Sequence, residues 1–172
     1  MNGKPINAFF HANSGGITEL PVNVWGGNNM PYLQVVETAG EEGYNQYNSE
    51  VILSKVELIE KLKTKYSDIQ IDFENDEDIK ILEYTDSNRV KTVKFGNHNL
   101  SGVETRTLLG LKSTNFEITK EGDNIKFSVK GYGHGVGMSQ TGADSMAKQG
   151  SNYEEIIKHF YKDVEIKNIN EI

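Results

Sequence analysis

The chain has 172 residues, with 18 Lys and Arg against 25 Asp and Glu, and its formal net charge is therefore −7. This length fits one domain, and the acidic balance argues against nucleic-acid binding, which needs Lys and Arg to neutralise phosphates. The sequence has no cysteine, which excludes disulfides, thiolate nucleophiles and zinc sites built on sulfur, and no apolar run approaches the roughly 18 residues of a membrane span.

The first 48 residues are rich in glycine and predict loops. Gly15-Gly16, Gly26-Gly27 and the segment 40–43 separate short apolar pieces, and an extended stretch follows Pro31. No helical periodicity is present here, so we expect a loop-rich third of the chain that wraps over a sheet.

The remaining chain alternates between strand and helix patterns. We predict strands at 51–53, Ile79–Tyr84, Val90–Phe95, 116–118, 125–129 and 164–166, and helices that begin after Ser54, after Ser101, near Gln140 and at Ser151 or Asn152. The first of these helices starts with the capping box Ser54-x-x-Glu57, and Gly110 and Gly150 end the second and third. These patterns predict a single α+β domain with mixed, mostly antiparallel strands, three to four helices and a loop-rich N-terminal third.

The most informative segment covers residues 131–143 and reads Gly-Tyr-Gly-His-Gly-Val-Gly-Met-Ser-Gln-Thr-Gly-Ala. Its alternating glycines allow unusual backbone angles and leave His134 uncovered. Ser139 and Gln140 lie at a helix start, where backbone amides can bind an anion or a sugar hydroxyl. The spacing is neither a dinucleotide fingerprint nor a phosphate loop. From the residues alone, an equal alternative is a tight turn between strand and helix in which the His134 side chain only forms hydrogen bonds to the backbone.

A second histidine loop, residues 11–16, reads His-Ala-Asn-Ser-Gly-Gly and has a similar composition. If His11 and His134 face one cleft, three sites fit them: a two-histidine metal site, a Ser–His nucleophile pair or a polar sugar groove. No third ligand lies at a recognisable spacing, and Ser14 lacks the G-x-S-x-G elbow, so the first two are weaker.

Aromatic and acidic residues accompany these loops without being singled out by their spacing. The aromatic residues can stack on sugar rings or serve ordinary packing, and they are Trp25, Tyr32, Tyr44 and Tyr47. The carboxylates that could act on a glycosidic bond are Glu19, Glu37, Glu41, Glu42 and Asp144.

Several ordered blocks resemble the SpoIID/LytB family. Residues 131–150 followed by 153–161 resemble its C-terminal signature, and other blocks match at 10–16, Trp25, 31–33 and 106–116, in the family's order. The resemblance implies a lytic transglycosylase that cleaves glycan strands of peptidoglycan lacking stem peptides, during engulfment of the forespore. LytB-type relatives instead modify an amidase. By this resemblance, the substrate groove is lined by His11, Ser14, Arg106, Tyr132, His134, Ser139 and Gln140.

One departure from the family affects catalysis. The family's catalytic Glu lies in a helix resembling E-A-L-K-A-Q-A-V-A-A-R-T upstream of the first histidine block, and these 172 residues contain no such segment. We therefore expect residues 1–172 to form a SpoIID-like domain that lacks this helix, as a C-terminal fragment, a split gene product or a degenerate member. No catalytic residue is assigned, and enzymatic activity stays open.

The resemblance also bears on cofactors, partners and location. Some members bind zinc through a histidine of the first block and cysteines. This chain has no cysteine, so His11 would need different co-ligands; the resemblance allows zinc, the missing cysteines disfavour it, and we assign no cofactor. Peptidoglycan glycan strands are the expected partner, with a cell-wall amidase or other engulfment proteins as further candidates. The expected location is outside the cytoplasm, at the cell wall or at a membrane through a segment not in this chain. The alternative function is a non-catalytic, wall-binding or amidase-enhancing module.

Overall fold

The computed structural model describes residues 4–168, and the contacts of the chain divide it into two compact units. The first unit combines Met1–Tyr47 with Tyr132–Ile172, and the second is Asn48–Gly131. Both units contain strands and helices, and most strand pairs are antiparallel, which confirms the predicted α+β class. Among the described residues, no helix is long and apolar enough to cross a membrane.

The elements follow one another along the chain as mostly short strands and helices. The strands are β1 Phe10–His11, β2 Asn48–Ser54, β3 Ile79–Tyr84, β4 Val90–Phe95, β5 His98–Ser101, β6 Asn115–Glu121, β7 Asn124–Lys130 and β8 Met138–Ser139. The helices are α1 Pro21–Trp25, α2 Lys55–Lys63, α3 Gly102–Leu109, α4 Gln140–Lys148 and α5 Tyr153–Phe160.

The second unit contains two antiparallel sheets, with strand orders β2-β7-β6 and β3-β4-β5. The hairpin of β6 and β7 confirms the alternating pattern read from the sequence, because Ile125, Phe127 and Val129 are buried on one face of β7. The predicted capping box of α2 is also present: the Ser54 hydroxyl accepts from the Glu57 N–H, and the Glu57 carboxylate accepts from the Ser54 N–H at 2.8 Å.

The first unit brings two segments that are distant in sequence side by side. β1 pairs in parallel with β8, so that Phe10 lies beside Met138 and His11 beside Ser139. α4 and α5 follow β8, and the apolar core of this unit consists of Tyr32, Leu33, Val36, Val136, Phe160 and Tyr161.

Two features of the first unit differ from the sequence patterns. Residues 164–166 form no strand, because they have no partner strand; Val164 instead packs against the core. The structure also contains α1, which begins with Pro21 and ends at Gly26 with a φ of 72°. A helix of five residues is too short to show a repeated apolar period, so its pattern could not be recognised.

Candidate functional site

The two histidine loops meet in the first unit because glycine permits their close approach. Tyr132 pairs with Asn13 through two backbone hydrogen bonds, of 2.8 and 3.1 Å. At Gly133, which has a φ of 118°, an added Cβ would lie only 2.7 Å from the Cβ of His11. A side chain at this position would therefore push the loops apart, and the alternating glycines serve contact between them.

Four aromatic rings form a continuous row at this contact. The ring centroids of His11 and His134 are 5.6 Å apart, those of His134 and Trp25 are 5.1 Å apart, and those of Trp25 and Phe9 are 4.8 Å apart. All three contacts are tilted. The expectation that the two imidazole-bearing loops converge is therefore confirmed. We call these four residues the ring row.

The peptide groups of Val136 fix both imidazoles of the ring row. The Val136 N–H donates to His134 Nδ1 at 3.0 Å, so the neutral His134 ring carries its proton on Nε2. The Val136 carbonyl lies 3.2 Å from His11 Nδ1, and since a carbonyl can only accept, His11 carries its proton on Nδ1. The two rings therefore hold complementary tautomers set by one backbone position.

The ring row has an exposed side formed by its aromatic members and neighbours. Trp25 is 50% exposed and Tyr132 is 44% exposed, whereas His11 is only 4% exposed and His134 is half-buried. Gln140 is exposed at the first position of α4. The indole of Trp25 and the phenol ring of Tyr132 are therefore accessible to a ligand, whereas His11 is not.

Glu41 lies fully buried beneath the loops and accepts hydrogen bonds from the first of them. The Ser14 N–H donates to Oε1 at 3.2 Å, and the Ser14 hydroxyl donates to Oε2 at 2.5 Å. The Gly16 N–H and the Thr38 hydroxyl also donate to Oε2, at 3.0 and 2.7 Å. One carboxylate thus holds the turn that follows His11.

The same carboxylate also accepts hydrogen bonds from the second loop. The hydroxyls of Ser139 and Thr141 donate to Glu41 Oε1, the latter at 2.8 Å. Asn13 in turn donates its side-chain N–H to the Thr141 hydroxyl at 2.8 Å. Each oxygen of Glu41 therefore accepts from three donors, and the six donors come from three separate chain segments.

The charge of Glu41 follows from this environment. Burial raises the pKa of its carboxyl, but the hydrogen bonds from Ser139, Ser14, Thr38 and the Gly16 backbone outweigh it and leave the pKa below the ordinary value of 4.5. The groups that lower this pKa are three hydroxyls and one backbone amide, all of them neutral. Glu41 is therefore a buried anion held by neutral donors, and it has no proton to give at neutral pH.

The residues expected from the resemblance to line the groove occupy different positions. His11 and His134 belong to the ring row, the backbone of Tyr132 pairs with Asn13 beside it, and Gln140 is exposed at the first position of α4. Ser14 and Ser139 are fully buried, and their hydroxyls donate to Glu41, so their assignment to substrate contact stays a prediction. Arg106 lies in the last turn of α3, in the second unit, and its role in a groove also stays a prediction.

The amide donors expected at the start of α4 are already engaged. The Thr141 N–H donates to the Ala12 carbonyl at 3.1 Å, and the Gly142 N–H donates to the Ser139 hydroxyl at 3.3 Å. The Thr141 hydrogen bond joins the two loops and the Gly142 hydrogen bond caps α4, so neither of these two amides is directed at a ligand.

Two of the other candidate carboxylates of this unit, Glu19 and Asp144, are held by hydrogen bonds or an ion pair. Glu19 is buried, and its Oε1 accepts from the Leu20 N–H at 2.7 Å and from the Asn23 side chain at 2.8 Å. Asp144 accepts from the Tyr44 hydroxyl at 2.6 Å and pairs with Lys148 at 2.7 Å. Sequence spacing could not distinguish Glu41 from these residues, because its donors lie at positions without a common period.

The residues around His11 do not fit a zinc site. Zinc in proteins takes four ligands, three of them usually from His, Cys or carboxylate side chains. His11 has the His134 ring beside it, but within residues 4–168 no group of three or more such side chains could hold a metal ion. No chemical step is therefore routed through a metal.

Two cavities, of about 440 and 450 Å³, lie in the second unit. The first is lined by polar residues near the start of β2 and the end of β7, and the second by the turn around Gly96. Neither is lined by a residue of the ring row.

Comparison with known proteins connects these loops to named relatives, although no family model matches the chain. The chain is 33% identical over 165 residues to stage II sporulation protein D of Bacillus subtilis (strain 168), which covers 96% of this chain and 46% of that protein. It is 35% identical over 163 residues to stage II sporulation protein D of Bacillus amyloliquefaciens, covering 95% and 45%. The amidase enhancer of Bacillus subtilis (strain 168) is 28% identical over 209 residues, covering 93% and 29%.

The similarity extends over nearly the whole chain and is not confined to the glycine-rich segment. The chain spans about half the length of the two sporulation proteins and less than a third of the amidase enhancer. In the portion that it shares with these relatives, the chain belongs to the SpoIID/LytB family.

Proposed function

We propose that this chain forms the glycan-binding surface of a sporulation-related cell-wall protein of the SpoIID type, a peptidoglycan lytic transglycosylase that acts on denuded glycan strands. The observation that supports this function is the ring row, in which the half-exposed Trp25 lies beside the His134 ring and His134 in turn lies beside His11. Such a protein acts outside the cytoplasm, at the cell wall or beside the membrane.

The chemistry of a glycan strand suits this surface. The C–H faces of pyranose rings stack on aromatic faces, and Trp25 and Tyr132 offer two such faces. The sugar hydroxyls and acetamido groups need donors and acceptors. The neutral His134 ring carries a donor proton on Nε2, and the exposed Gln140 amide has both a donor and an acceptor.

The cleavage step needs a carboxylic acid that keeps its proton until it meets the glycosidic oxygen. In the expected reaction, a glutamic acid protonates that oxygen, and the resulting carboxylate then takes the proton of the sugar's 6-hydroxyl. The hydroxyl oxygen bonds to the anomeric carbon, so a 1,6-anhydro sugar forms and no water is consumed. Glu41 does not suit this role because it is ionised and fully enclosed by donors.

The second candidate function is a non-catalytic peptidoglycan-binding or amidase-enhancing module. It is supported by the buried, charged state of Glu41 and by the similarity to the amidase enhancer. In this case the ring row binds glycan strands, and a cell-wall amidase or another engulfment protein supplies the chemistry.

One experiment tests the binding and separates the two candidates. The chain is incubated with amidase-treated peptidoglycan, and the retained protein and the released anhydro-muropeptides are measured. We expect the chain to be retained with little or no anhydro product. Failure of retention would overturn the binding function. Abundant product from these 172 residues would overturn the expectation that they lack the catalytic glutamic acid. Faster hydrolysis by an added amidase would favour the enhancing module.

A further inference from the structure

We infer that Glu41 is the positioning residue of the glycan-binding surface: its carboxylate ties the segment that carries His11 to the segment that follows His134, and this tie sets the spacing of the ring row. The test by glycan binding rests on the proposed function, whereas the test by NMR contacts between Trp25 and His134 does not.

Glu41 accepts hydrogen bonds from each loop at a serine that follows the histidine of that loop. Ser14 lies three residues after His11, and it donates to Glu41 through both its N–H and its hydroxyl. Ser139 lies five residues after His134, and its hydroxyl donates to the same carboxylate. Movement of Glu41 would therefore release both loops at once.

The hydrogen bonds require a carboxylate and do not suit an amide. Oε1 accepts from the Ser14 N–H and Oε2 accepts from the Gly16 N–H, at 3.2 and 3.0 Å. Unlike hydroxyls, these backbone groups cannot rotate to become acceptors. A glutamine at position 41 would place its NH₂ group against one of the two N–H groups in either orientation. One buried pair of opposing donors would result, which is unfavourable.

The hydrogen-bond donors that surround the Glu41 carboxylate are neutral hydroxyls and backbone amides. The titratable groups beside it are Tyr47, whose pKa is raised by burial and by Glu42 and Glu41, and Glu42 itself. Gly142 packs against Glu41 Oε1 as well, since a Cβ there would lie 3.4 Å from this oxygen and 3.2 Å from Phe160 Cζ. The space around the carboxylate is therefore closed on the α4 side by glycine and by an apolar ring.

The test compares E41Q with E42Q, which removes the same charge from an exposed neighbour on the same loop. Trp25 is the only tryptophan, so its indole signals in proton NMR are assigned directly. In the wild type, the centroid distance of 5.1 Å predicts nuclear Overhauser contacts between Trp25 and His134. We expect E41Q to keep a cooperative thermal transition, to lose these contacts and to bind denuded glycan strands at least tenfold more weakly. E42Q should match the wild type in all three measurements.

A pH profile adds a readout that ordinary packing would not produce. Retention of the wild type on glycan should fall as the pH drops below 4.5, where Glu41 takes up its proton, whereas the residual retention of E41Q should show no such step. If E41Q does not fold, Thr38→Val removes one of the donors to Oε2 and should weaken the Trp25–His134 contacts in part.

The outcomes separate this inference from the function on which it rests. If the wild type does not bind glycan, the proposed function fails, and the NMR contacts alone decide the role of Glu41. If folded E41Q, or Thr38→Val in its place, keeps both the Trp25–His134 contacts and the wild-type glycan retention, the inference is overturned.

Discussion

A single residue of the backbone, Val136, determines how the two imidazoles of the ring row present their protons. Its N–H donates to His134 and its carbonyl accepts from His11. Since Val136 is itself fully buried in the core of the first unit, both rings are anchored to the rigid part of the fold. The most exposed side chain of the ring row is Trp25, which is half exposed.

Trp25→Ala is therefore the residue change that should weaken glycan binding most directly. Loss of one stacking face should cost about 1.4 kcal/mol, which is about a tenfold weaker affinity. Affinity electrophoresis in a gel that contains denuded glycan measures this change. Tyr84→Ala is the matched control, because Tyr84 is also 50% exposed but lies on β3 of the second unit. Equal retardation of both variants would contradict a binding role for Trp25.

The lowered pKa of Glu41 predicts that the protein loses stability at acid pH, and we call this loss the acid limb. Its pKa is lower in the folded state than the ordinary 4.5, so its contribution to folding is fully present above that pH and is lost as the pH falls through the lowered value. The thermal midpoint of the wild type, measured by circular dichroism, should fall over this range. The fall should be smaller in E41Q.

Asp144→Asn provides the comparison for this acid limb. The pKa of Asp144 is also lowered, by hydrogen bonds from Lys148 and Tyr44, but its side chain is half exposed and solvent weakens the effect. D144N should therefore keep most of the acid limb. If E41Q keeps the wild-type loss of stability at acid pH and D144N does not, that loss comes from Asp144, and the hydrogen bonds to Glu41 are not its cause.

Among the elements, the pairing of β1 with β8 depends on the glycines between Tyr132 and Met138. Gly133→Ala would introduce a Cβ 2.7 Å from the Cβ of His11 at a φ of 118°, so both a clash and backbone strain result. We expect a loss of about 1–3 kcal/mol in unfolding free energy, together with weaker glycan binding. Denaturant unfolding and glycan retention measure the two effects.

Gly150→Ala separates the clash from the strain. Gly150 has a φ of 98°, but an added Cβ would meet nothing within 4 Å. This variant should lose some stability through strain and should keep wild-type glycan retention. If G133A and G150A lose equal stability and both retain glycan, the close approach of the histidine loops is not important for binding.

Elements with local signals were predictable from the sequence. The capping box at Ser54 and Glu57, the alternation in β7 and the helix end at Gly110 are each defined by neighbouring residues. α1 was not predictable, because five residues show no period, and the expected strand at 164–166 failed because pairing depends on a partner edge that the local pattern does not reveal.

The candidate site was also predictable only where its signals are local in the sequence. Glycine alternation indicated unusual backbone angles around an uncovered His134, and the family resemblance placed His11 and His134 in the same substrate groove. The hydrogen bonds of Glu41 could not be predicted, since its donors at Ser14, Thr38, Ser139 and Thr141 come from three distant segments and leave no spacing in the sequence.

For the whole molecule, the net charge of −7 predicts how binding responds to salt. Under the proposed function, long-range electrostatics between glycan carboxylates and this acidic chain oppose association, and we expect the attraction to come from stacking and neutral hydrogen bonds. Raising NaCl from 50 mM to 500 mM, which shortens the screening length severalfold, should leave glycan retention equal or stronger. A steep loss of retention with salt would indicate a charge-driven contact elsewhere on the protein.

The location of the glycan on the protein is the central point of this account. It is tested by NMR titration of the isotope-labelled chain with a denuded glycan oligosaccharide. We predict saturable shifts of the Trp25 indole N–H and of the His134 and Gln140 side chains, with smaller shifts in β3, β4 and β5. Shifts confined to the second unit, with an unmoved Trp25 signal at saturation, would contradict it.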